Sequence, residues 1–92
     1  MTITVDRPTI TDARTLIDTG LFDRLTTRIR VDHPEHADLA EPIMEQALAF
    51  LAACAANPGV GLGPSELVDI GWHTFLMYTA DYAAFCQRTA GR

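Results

Sequence analysis

The chain reads as an all-α protein, a compact bundle of four to five short helices forming a single domain over residues 1-92. Three observations carry this expectation. Apolar residues recur three and four apart through most of the sequence, which is the period of a helix face. Proline and glycine fall at intervals that cut the chain into helix-sized pieces. The one alternating stretch, Thr2-Ile3-Thr4-Val5, has no second strand pattern to pair with it.

The elements follow in order. Residues 1-8 are expected to be extended or frayed. Thr9 or Thr11 caps a first helix running to about Asp18, with Asp12 in its first turn, where the helix dipole favours a carboxylate. Gly20 is the natural stop of that helix. Leu21 opens a second helix whose apolar face is Phe22, Leu25 and Ile29, with Arg24 and Arg28 on the other side. His33-Pro34 ends it, because a residue before proline is pushed out of the helical region. A short helical turn over residues 35-40 is followed by a fresh start at Glu41-Pro42. Within a continuous helix that proline would clash with the carbonyl of Asp38.

The next helix runs to about Ala56. Ile43, Met44, Ala47, Leu48, Phe50, Leu51 and Cys54 give it an apolar face wide enough for the centre of the domain. Residues 57-64 hold three glycines and two prolines and form a loop. Ser65 then caps a helix with Leu67, Val68, Trp72, Phe75 and Leu76 at apolar positions. Gly71 lies in its middle, where glycine costs about 1 kcal/mol relative to alanine. A second helix is expected to approach closely there. Thr79 is a further cap, with Asp81 in the first turn and Tyr82, Phe85 and Cys86 facing inward. The two helices meet in a corner at Tyr78-Thr79.

Charge removes several function classes. Twelve acids face seven bases, a net charge of -5, and every base is Arg. Without Lys there is no Schiff base and no Walker-A phosphate loop. No basic patch exists to hold nucleic acid, since Asp23 and Asp32 interrupt Arg24, Arg28 and Arg30. The N-terminus has no signal-peptide pattern. The apolar runs look too short to cross a bilayer, so no membrane is expected and the cytoplasm is the expected location. Two cysteines in such a chain do not imply a disulfide. Cys54 reads as a buried thiol and Cys86 as a small core residue rather than a nucleophile.

The region from Pro64 to Cys86 concentrates the chemistry. It holds the only Trp, both Tyr, one Cys and one His. Asp69 and His73 are four apart and share a helix face. Trp72, Tyr78 and Tyr82 supply aromatic surface with polar tips, which suits an interface with a protein partner or a second copy in a homo-oligomer. The leading expectation is therefore a small helical binding or accessory module, not a stand-alone enzyme, with Asp69, Trp72, His73, Tyr82 and Cys86 as its working residues. The alternative is a metal-binding protein or metal-dependent enzyme component, with a transition metal such as Zn held by Asp69, His73 and Cys86 and the set completed by His33, His36 or a further C-terminal segment.

The run Pro64-Ser65, Val68-Asp69, Trp72-His73, Thr79, Tyr82 and Phe85-Cys86 resembles the signature of the glycine-rich-domain-protein-like family, and residues 21-56 resemble it more loosely through the Ala49-Phe50-Leu51 patch. The resemblance implies a helical domain with no established activity. It also implies that relatives continue beyond Gly91-Arg92 into a stretch with adjacent His residues, which could complete a pocket.

Overall fold

Asp18 sets the start of the first long helix. Its backbone is extended (φ -74°, ψ 153°), and its carboxylate accepts hydrogen bonds from the N–H groups of Gly20 and Leu21 at 3.3 and 3.0 Å. These are two of the donors that a helix N-terminus leaves without partners. The computed structural model describes residues 13–56 and 63–90. Among them, four α-helices follow one another: α1 (Thr19–Asp32), α2 (Ala40–Ala56), α3 (Glu66–Leu76) and α4 (Thr79–Ala90). Short 3-10 segments at Arg14–Leu16 and Pro34–Leu39 precede α1 and α2. The all-α bundle is as the sequence predicts.

Its first boundary is not. Gly20 sits in the first turn of α1 instead of ending an earlier helix, because Asp18 caps forward through its side chain. Before it, the described chain shows only the 3-10 turn at Arg14–Leu16. The expected caps Thr9 and Thr11, the extended residues 1-8 and loop residues 57-62 lie outside the described residues.

The break between α1 and α2 is as expected. The His33 N–H donates to the carbonyl of Ile29 at 2.8 Å, and the chain then turns through the 3-10 segment, with His36 off helical geometry. Pro42 falls in the first turn of α2, where a missing N–H leaves no bond unmade. By length and composition the run Pro34–Ala56 is apolar enough to cross a bilayer, which corrects the expectation that every apolar stretch is too short. Its inner side packs Ala40, Ile43, Met44, Ala47, Leu48 and Leu51 into the core.

That core is completed by Leu25 and Ile29 from α1, Phe75 from α3 and Phe85 from α4, all at most 1 % exposed. Cys54 is half-buried, short of the buried thiol expected of it. The buried hydroxyls of Thr26 and Thr74 donate back to the carbonyls of Asp23 and Ile70, so neither is left without a partner.

Gly71 lets α3 approach α2 closely. A Cβ at that position would stand 2.7 Å from the Cβ of Ala47 and 3.1 Å from the carbonyl oxygen of Ile43. The mid-helix glycine is thus a crossing point of two backbones. At the other end, Arg88 of α4 donates to the carbonyl of Leu16 at 3.1 Å. Arg14 pairs with Glu45 and Glu41 on α2, and these hydrogen bonds raise its pKa further above its ordinary value.

Candidate functional site

Ser65 positions the site by fixing where α3 begins. Its Oγ accepts from the Val68 N–H at 3.2 Å, and its carbonyl accepts from the Asp69 N–H at 2.9 Å. From that start, Gly71, Thr74 and Phe75 turn inward, and Asp69 and His73 turn outward. His73 Nε2 lies 3.3 Å from Asp69 Oδ2, with the two side chains 65 % and 43 % exposed. The pair becomes ionic when the imidazole is protonated. Met77, one further turn along the same stripe, is 54 % exposed.

The corner after α3 brings the second half of the site into place. The Met77 and Tyr78 N–H groups donate to Thr74 and Phe75, tightening the last turn. The carbonyl of Tyr78 then accepts from the Tyr82 N–H at 2.8 Å. Tyr78 therefore holds the cap position of α4, and Thr79, expected to cap, is its first residue. This angle sets Tyr82 of α4 opposite Trp72 of α3.

Trp72 Nε1 donates to the Tyr82 hydroxyl at 3.3 Å. Phe50 of α2 lies behind the indole, with ring centroids 6.2 Å apart. Phe75 meets Tyr82 edge to face at 5.2 Å and Phe85 at 5.3 Å. Burial pushes the Tyr82 phenol above its ordinary pKa, and the neighbouring Cys86 thiol adds to this while the indole N–H opposes it. Cys86 is half-buried, packed against the core beside Tyr82.

Of the residues expected to act together, Asp69 and His73 meet, and Trp72, Tyr82 and Cys86 meet. The metal set does not form. Among the described residues no three His, Cys, Asp or Glu side chains are grouped to hold an ion. Cys86 adjoins Tyr82, and His33 and His36 flank Glu35 at 3.7 and 3.9 Å in the Pro34–Leu39 region. Helical spacing brought Asp69 to His73, but the remaining ligands needed long-range folding that does not bring them there.

Two participants were not assigned to the site from sequence. Phe50 was read as part of the central apolar face and of the Ala49-Phe50-Leu51 patch, not as a site residue, since its contact with Trp72 depends on how α2 crosses α3. Met77 had a usable signal, because it continues the Asp69 and His73 spacing by four.

No curated protein and no solved structure matches the chain. The resemblance to the glycine-rich-domain-protein-like family does not stand, because the family model that does match is a different one. The residues that suggested it are explained by local packing: Ser65 caps α3, and Trp72 and Tyr82 bond across the corner. The matching model covers residues 12–92, from before the first 3-10 turn through α4. On that coverage the chain belongs to the UCP032817-like family, an uncharacterised family.

Proposed function

We propose that the protein is a small helical binding or accessory module that docks a protein partner through α3 and the adjoining part of α4. The observation that carries this reading is the solvent-facing Asp69–His73 pair set beside an aromatic base fixed by the Trp72–Tyr82 hydrogen bond. Trp and Tyr held in one orientation lose little entropy on binding and are frequent interface anchors. The carboxylate and imidazole give the surface a donor and an acceptor that fix a partner's register. Met77 adds an apolar contact at the end of the stripe. Cys86 packs beside Tyr82. On this reading the protein works in the cytoplasm and performs no reaction of its own.

A photo-crosslinking residue at position 77 in the full chain identifies what touches this face. The captured protein is then purified and its affinity measured. Asp69→Asn combined with His73→Ala is expected to weaken binding about tenfold or more while changing stability by less than about 1 kcal/mol. Unaltered affinity in that double variant would rule the surface out.

A further inference from the structure

A second face has its own logic. Arg24, Thr27, Arg28 and Val31 fall at helical spacing along α1 and form one outward stripe. With Asp23 and Tyr78 they line an open depression of about 410 Å3 beside the α3–α4 corner. Val31 is 67 % exposed, the most exposed large hydrophobic side chain among the described residues, and Tyr78 beside it is half-buried.

The charges around them alternate in sign. Arg24 reaches Asp81 only to 3.9 Å, with the two side chains 57 % and 46 % exposed. Arg28 donates through Nε to Asp32 at 2.8 Å. A purely acidic ligand would meet Asp23, Asp32 and Asp81 beside the two guanidinium groups, and a purely basic one would meet Arg24 and Arg28. A patch with apolar side chains and interleaved charges is instead complementary to itself. Rotating a copy by half a turn beside the loose Arg24–Asp81 pair sets each guanidinium against the other copy's carboxylate.

We propose that this face, formed by the α1 stripe with Tyr78 and Asp81, is an isologous interface between two copies of this chain. Val31 is its apolar contact, flanked by Tyr78, and two reciprocal Arg24–Asp81 pairs fix its register. A chain of this size buries only a modest core alone, so covering Val31 and Tyr78 adds burial that the single copy lacks. The proposal does not rest on the partner-binding reading, because its diagnostic residues are Arg24, Val31 and Asp81.

Sedimentation velocity of the full chain over a concentration series is expected to show the mass rising from 10.1 kDa to twice that value. Val31→Asp is expected to hold the protein monomeric with unchanged helix content. Arg24→Asp and Asp81→Arg each place like charges together and are expected to weaken self-association about a hundredfold. Mixing those two variants in equal amounts restores a dimer, because only the heterodimer has opposite charges at both contacts. A pairing confined within one chain cannot give that rescue. A native chain that stays monomeric throughout would overturn the proposal, and so would a mixture that fails to dimerise. Dimers untouched by a folded Val31→Asp variant would also overturn it; if that variant unfolds, the mixed pair decides.

Discussion

Gly71 shows how one missing methyl group governs the approach of two helices. An alanine there gains helix propensity but drives its Cβ to 2.7 Å from that of Ala47. The clash outweighs the gain, so Gly71→Ala is expected to lower stability by about 1–3 kcal/mol in denaturant melts. Adding Ala47→Gly should return part of the loss, and a more stable single variant would show the crossing to be loose. Tyr82 makes a second residue-level prediction. Its phenol has a raised pKa in the folded state, so the protonated form stabilises the fold below the unfolded value of about 10. That contribution is lost as pH rises through the folded value. The melting temperature should therefore fall more steeply at alkaline pH in the native chain than in Tyr82→Phe. Equal slopes would mean that Tyr82 titrates freely. Gly71 was legible in the sequence because glycine stands out within an apolar helix. The Trp72–Tyr82 bond was not, because it spans a corner whose angle no residue spacing encodes.

At the level of elements, the caps decide where helices begin. Ser65 was legible because a breaker-rich stretch precedes it and an apolar period follows it. Asp18 was missed, because Asp18-Thr19-Gly20 can be read either as the end of one helix or as the start of the next. The carboxylate bonds to Gly20 and Leu21 resolve it as a start. A pair of variants tests this in thermal melts. Asp18→Ala should cost about 1 kcal/mol. Gly20→Ala should be neutral or stabilise by up to about 1 kcal/mol, since only ordinary contacts surround a Cβ there. Destabilisation at Gly20 would restore its reading as a stop. The start of α2 was legible to within a residue or two, because Pro42 is tolerated only near a helix N-terminus.

Across the whole molecule, four helices bring together what is close in sequence and leave apart much of what is not. Asp69 and His73 meet by helical geometry alone, whereas His33, His36 and Cys86 do not join them in a set of three. Chelator is therefore expected to leave the melting temperature of the native protein unchanged. His73→Ala should shift stability by no more than about 0.5 kcal/mol, as for an exposed pair one turn apart. A marked fall in either measurement would return the metal reading. The bond from Arg88 to the Leu16 carbonyl joins positions 72 residues apart. During synthesis the turn at Arg14–Leu16 gains that partner only once Arg88 has left the ribosome. The bundle therefore cannot close over its first turn until α4 has been made.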